Sequence, residues 1–123
     1  MNEGSLKWAE NNNMTYNEIK NIVEGYNWDD GFEIPCQLLS NEKCDLALAL
    51  EIFYSGDGYG YMIDLEHREG RSREWLEFIS KLYCDIEAGR YQIAGNTYQI
   101  PLNKVQRHKL RKNNIPIVFL TDL

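Results

Sequence analysis

Histidine is scarce in this chain, and neither of its two copies stands where metal or acid–base chemistry wants it. His67 lies in Glu66-His67-Arg68-Glu69 and His108 in Gln106-Arg107-His108-Lys109, and a solvated side chain among charges accounts for each. A zinc hydrolase of the common type needs two histidines one helical turn apart, and that pairing is missing. Cysteine is equally sparse. Cys36, Cys44 and Cys84 are an odd set with spacings of 8 and 40, which suits neither a disulfide framework nor a metal knuckle, and the expectation is of reduced, mostly buried thiols. Cys44 and Cys84 each precede an aspartate, whose charge raises a thiol pKa and makes a poorer nucleophile. Long apolar runs are also absent. A membrane span needs roughly 18 consecutive apolar residues, whereas the most apolar stretch, Leu46 to Tyr54, is short and carries Glu51. Met1-Asn2-Glu3-Gly4-Ser5 has no basic region leading into an apolar one, so the reading places the chain in the cytoplasm, away from membranes.

Other chemical motifs fail in detail. Asp57-Gly58-Tyr59-Gly60-Tyr61-Met62-Ile63-Asp64 has the look of a calcium loop, but the ligand positions counted from Asp57 hold Tyr59, Tyr61 and Arg68 where oxygen donors are needed. Asp29, Asp30 and Glu33 are a denser cluster, yet without a partner cluster they read as an acidic surface turn. The glycine-rich stretch Gly56 to Gly60 lacks a preceding strand and a Gly-Lys-Ser/Thr ending, so it is no phosphate cradle. Paired carboxylates of the glycosidase kind arise by chance in a chain this acidic. No catalytic residue, metal ligand or cofactor is assigned, and a binding domain is expected in preference to an enzyme.

What is present is acid, unevenly placed. The net charge is −6 over 123 residues, but residues 1–70 hold fourteen Asp and Glu against four Lys and Arg, a balance of −10. Residues 71–123 hold five against nine, a balance of +4. The acidic half would repel a phosphate backbone and favours a basic partner, so direct nucleic-acid binding is not expected. The commoner reason for such acidity is solubility alone. Lys104, Arg107, Lys109, Arg111 and Lys112 form one basic patch without interleaved aromatics, which reads as a solvated face or as an internal counterpart to the acidic half.

The pattern predicts a mainly α protein: a polar lead-in over residues 1–14, with one helical turn around Trp8, then a single compact helical bundle or array over residues 15–123. Thr15-Tyr16-Asn17-Glu18 has capping-box spacing, with Ile19, Ile22, Val23 and Tyr26 on one face and Gly25 at the end. Asn27 to Gly31 is a turn. Pro35 at a first helical position opens a short helix from Ile34 to Leu39. Cys44 to Tyr54 is apolar nearly all round and marks the centre of the core, where Leu50→Ala or Phe53→Ala is expected to cost roughly 2–5 kcal/mol. Ser55 to Tyr61 reads as a loop because of its three glycines. Ser72 to Gly89 is an amphipathic helix on the stripe Trp75, Ile79, Leu82 and Ile86, widened by Leu76 and Tyr83. Residues 91–100 fit a small hairpin and an irregular loop about equally well. Pro101 opens the basic helix, which runs to about Lys112, and Pro116 to Leu120 is an apolar tail that must pack somewhere.

The string Tyr26-Asn27-Trp28-Asp29-Asp30-Gly31-Phe32-Glu33-Ile34-Pro35, followed by Cys44-Asp45-Leu46-Ala47-Leu48-Ala49-Leu50-Glu51-Ile52-Phe53-Tyr54, resembles the bacterial family known as domain of unknown function 4274. Val105-Gln106 to Leu110 and Ile115-Pro116 to Phe119-Leu120 are similar to that family's C-terminal end, so the resemblance covers most of the chain from about Thr15. Where the family usually carries a threonine, this chain has Ala47 or Leu48. The family offers no catalytic motif to carry over. In kind it is similar to the small acidic immunity proteins of polymorphic-toxin and contact-dependent inhibition systems, which implies a cytoplasmic inhibitor of a cognate, basic toxin such as a nuclease. A non-enzymatic regulatory module with another protein partner is the alternative. On the immunity reading the binding surface comprises Asp29, Asp30, Glu33, Asp57, Tyr59, Tyr61, Asp64, Glu66 and Glu69, carboxylates to imitate phosphates and tyrosines to anchor. Trp28, between a helix and a tight turn, is expected to be a buried staple more than an exposed anchor.

Overall fold

The computed structural model describes residues 14–63 and 68–123, and the helical turn expected around Trp8 lies outside them. All the regular structure among the described residues is helical, and none of it is strand. Helix α1 (Tyr16–Gly25) starts with the expected capping box, in which the Thr15 hydroxyl accepts from the Glu18 amide and the Glu18 carboxylate accepts from the Thr15 amide. Trp28–Asp30 is one turn of 3-10 helix, capped by Asn27 and ended by Gly31 at φ 92°, a conformation that glycine adopts without strain. Helix α2 is Glu33–Ser40. It begins earlier than Pro35, which a helix tolerates anywhere in its first turn because the amides there have no intrahelical acceptor.

Helix α3 (Leu46–Ser55) is the axis of the fold. Every residue from Leu46 to Phe53 is buried, as a helix apolar on all sides requires. Asp45 fixes its start: one carboxylate oxygen accepts from the Leu48 amide and from the Tyr16 hydroxyl, the other from the Asn96 side chain. The charge on Glu51 is met by the Lys20 ammonium of α1 at 2.6 Å. α1 packs on one side of α3. Helix α5 (Arg73–Glu87) packs on α3 as well, and its stripe of Trp75, Ile79, Leu82 and Ile86 is buried as its spacing predicts. Ser72 caps α5, and Gly89, at φ 77°, follows its end.

Three expectations need correction, on the glycine-rich loop, the start of the basic helix and the mostly buried thiols, and of the two readings of residues 91–100 only the irregular loop holds. The glycine-rich stretch is not all loop: Gly58–Ile63 forms helix α4, packed between α3 and α5. A β-carbon on Gly58 would lie 2.3 Å from the Phe53 ring, so this glycine is there to let two helices touch, and burial outweighs its backbone entropy. Residues 91–100 form no hairpin. Their backbone groups pair elsewhere: the Gln92 carbonyl accepts from the Leu46 amide at the head of α3, and Tyr98 exchanges both backbone bonds with Leu123. The basic helix, α6 (Lys104–Lys112), starts three residues after Pro101, because Asn103 and Gln106 form a second capping box and Leu102 turns inward to be buried. The apolar tail does pack: Ile117–Phe119 makes a 3-10 turn that delivers a fully buried Phe119, stacked on Tyr83 with centroids 4.6 Å apart. Of the thiols, only Cys44 is largely enclosed, while Cys36 and Cys84 lie at the surface of α2 and α5.

A candidate partner-binding groove

Two tryptophans converge where α3 turns into α4. The Trp75 indole donates to the Gly56 carbonyl at 2.7 Å, and the six-membered ring of Trp28 lies over Gly56 so closely that a β-carbon there would meet it at 3.2 Å. Trp28 is half-buried, so it is both staple and surface. Its ring meets Tyr26 edge-on at 5.3 Å and Phe78 at 5.9 Å, and Phe32 stacks on Phe78 at 5.0 Å. Offset and edge-on pairs of this kind hold one another in fixed orientations. The result is a rigid aromatic floor made jointly by the Trp28–Asp30 turn, the head of α2 and the first half of α5.

Above that floor runs an open groove of about 740 Å³ between the Trp28–Phe32 segment and α5. Its rim carries three carboxylates, Asp29, Glu74 and Glu77, and one cation, Arg71. Arg71 is held: it pairs with Asp57 and its guanidinium lies 4.2 Å from the centre of a Trp75 ring. Glu77 pairs with Arg73 at 3.1 Å, but both side chains are mostly exposed, and such a pair is weak and readily exchanged. Asp29 and Glu74 make no ion pair among the described residues. The Tyr26 phenol gauges the local field. Burial first, then the charges of Asp30 and Glu33, push its pKa up, while its hydroxyl donates to the Gly31 carbonyl.

The nine surface residues expected from the sequence are divided among three settings. Asp29, Asp30 and Glu33 are exposed and lie together on the turn and at the head of α2. Glu69 is exposed as well, while Asp64 and Glu66 lie outside the described residues. Asp57, Tyr59 and Tyr61 serve the fold. Asp57 sits at φ 68°, accepts from the Gly60 amide at 3.1 Å and holds Arg71. Tyr61 packs at 5.3 Å from Tyr83 beneath the Arg68 guanidinium, and Tyr59 is half-buried against the core on the side of α6. Residues missed by the sequence reading are Glu74, Glu77 and Phe78. Phe78 is buried on the same face as Trp75 and Leu82 but stands outside the stripe named from the sequence, and Glu74 is exposed on the first turn of α5.

Two of the three cysteines are held as thiols. Burial, and then the Asp45 charge, push the Cys44 thiol up to about 12, and burial also raises Cys36. Among the described residues no group of three or more His, Cys, Asp or Glu side chains is placed to hold a metal ion, and no helix is long and apolar enough to cross a membrane.

The sequence profile of the family described as "Domain of unknown function (DUF4274)" matches residues 15–86, more than half of the chain, and the protein belongs to that family. The match takes in the whole groove; the C-terminal strings from Val105 and Ile115 lie beyond it. No curated protein and no solved structure matches the chain.

Proposed function

We propose that this protein is a cytoplasmic immunity protein, which neutralises a cognate bacterial toxin by occupying its surface and not by catalysis. The toxin is a basic domain, a nuclease being the chemistry that best suits a carboxylate-bearing inhibitor. The observation that carries the reading is the groove: an aromatic floor, rimmed by Asp29, Glu74 and Glu77 and continued outward by Asp30 and Glu33. Interfaces gain most of their energy from a few aromatic anchors in a desolvated centre, and charge around that centre sets encounter rate and partner choice. A standard interface takes about 800 Å² from each partner, so the groove would be its centre and the acidic turn its margin. The acidic turn of Asp29, Asp30 and Glu33 belongs to the acid-rich first seventy positions, and Glu74 and Glu77 add acid to it from the otherwise basic remainder.

The test begins with the neighbouring gene. Its product should be a large secreted protein with a variable C-terminal toxin region, should co-purify with this chain and should kill cells only when this chain is missing. Asp29→Lys with Asp30→Lys should slow association about tenfold at low salt, with the difference shrinking as ionic strength rises. Unchanged association rates, or a neighbour that neither binds nor kills, would refute the proposal. Asp57→Lys serves as a contrast: it should act through lost stability, since Asp57 holds Arg71 and caps α4.

A further inference from the structure

We infer that the groove is a receptor for one arginine side chain of the partner, the guanidinium lying on the ring floor with its N–H groups directed to the rim carboxylates. The inference deepens the reading above and rests on it for the source of that arginine, whereas the site itself can be probed without any toxin. Three features of the groove converge on this occupant. The floor is aromatic and pre-set: Trp28, Phe32 and Phe78 brace one another at 5.0 to 6.1 Å, so no ordering of these rings remains to be done on binding. The rim is anionic and under-used, because Asp29 and Glu74 have no cationic partner among the described residues and Glu77 has only the exposed Arg73. Finally, the protein already makes this arrangement with its own chain at the edge of the same groove. Arg71 rests 4.2 Å above Trp75 and turns its N–H groups to Asp57.

The chemistry discriminates among candidate occupants. An apolar side chain would satisfy the floor and leave the carboxylates partly desolvated without partners, which is unfavourable. A lysine ammonium would satisfy the charge, but as a compact and strongly hydrated ion it cannot lie flat on a ring and reach carboxylates sideways at once. A guanidinium does both, since it stacks through its face and donates through its edge. An acidic or phosphate-bearing ligand would be repelled by the rim.

The test uses the full chain and three blocked glycine–serine peptides that differ at one central residue, which is arginine, lysine or citrulline, the neutral shape-mimic of arginine. Each is titrated while the indole N–H resonances of the tryptophans are followed by NMR. The arginine peptide should move the Trp28 signal saturably. The lysine peptide should bind about threefold to tenfold more weakly, and citrulline should give no saturable shift. Glu74→Gln and Asp29→Asn alter exposed side chains outside the core and should each weaken the arginine peptide about threefold or more without changing the unfolding midpoint. Equal binding of arginine and lysine peptides, shifts at Trp8 alone, or affinities untouched by both substitutions would overturn the inference. Failure here with a toxin that still binds would leave the immunity reading standing on another contact. Selective arginine binding with no toxin in the neighbouring gene would refute that reading and keep the site.

Discussion

Replacing Gly58 by alanine should destabilise the protein, although alanine is the better helix former. The position opens α4, where exchanging glycine for alanine gains at most the helix-interior figure of about 1 kcal/mol. Here the new methyl would stand 2.3 Å from two atoms of the Phe53 ring and 2.5 Å from a third, where ordinary contact begins near 3.4 Å, so something must yield by about 1 Å. The ring has nowhere to go. Phe53 is fully buried and packed against Tyr54, Tyr83 and Phe119 at 5.1 to 6.2 Å between centroids. Overpacking a core of this kind costs about 1–3 kcal/mol, and a clash with a pinned ring belongs at the upper end. Subtracting the propensity gain leaves a net loss of about 2 kcal/mol. Gly25→Ala is the matched control: it lies at the last position of α1 with nothing within 4 Å of its would-be β-carbon, so it should stabilise by about 0.5 kcal/mol. Urea titration of both variants, followed by far-UV circular dichroism, reads the two signs directly. A Gly58→Ala protein as stable as the parent would show that α4 and Phe53 are not in the contact described.

Other outcomes follow from the same geometry. Asp122 accepts from the Ile100 amide and then from Arg107, which together hold its carboxyl below the usual range. A lowered folded-state pKa gives stability that is present above the unfolded-state pKa and is lost as pH falls through the folded one, so Asp122→Asn should flatten the acid limb of a melting-temperature profile below about pH 4. Arg107 donates to the carbonyls of Leu102, Leu120 and Ile100 as well as to Asp122, and a lysine cannot reproduce that fork. Arg107→Lys should therefore cost about 1–3 kcal/mol in the same urea assay, while Lys109→Arg on the exposed face should be neutral within about 0.5 kcal/mol. Toward a small thiol reagent at neutral pH, Cys84 should react first and Cys36 more slowly, with Cys44 protected until unfolding by its enclosure and its raised pKa. Rapid modification of Cys44 in the folded protein would contradict its partial burial and raised pKa.

Where local chemistry decides, the sequence was readable. Thr15 with Glu18, Ser72, and the all-round apolar α3 each gave an element and its role, because capping and burial depend on near neighbours in the chain. Where the deciding partner is distant, the pattern misled. Gly58 helps to form a helix because Phe53 is above it, and Tyr98 stays out of a hairpin because Leu123 takes its backbone groups. The candidate site divides in the same way. Asp29, Asp30 and Glu33 are exposed on a turn that Asn27 and Gly31 announce, whereas Asp57 and Tyr61 looked like surface until Arg71, Tyr83 and Trp75 were placed against them. Nothing local in Glu74 or Phe78 could reveal that Trp28 lies across from them.

The burial of Phe119 bears on how the chain acquires its fold. The family match ends at residue 86, yet Phe119 stacks on Tyr83 and touches Phe53, and its carbonyl accepts from the Tyr54 hydroxyl across 65 positions of sequence. The helices before residue 86 meet through contacts of modest sequence separation and can assemble early, while the final turn closes the longest loop and pays its closure entropy last. During synthesis a core formed by the first helices would keep an aromatic face open until residue 119 has cleared the ribosome. A fragment cut at the family boundary would hold that unfinished state permanently. The recognisable unit is therefore shorter than the core it belongs to, which reaches Leu120.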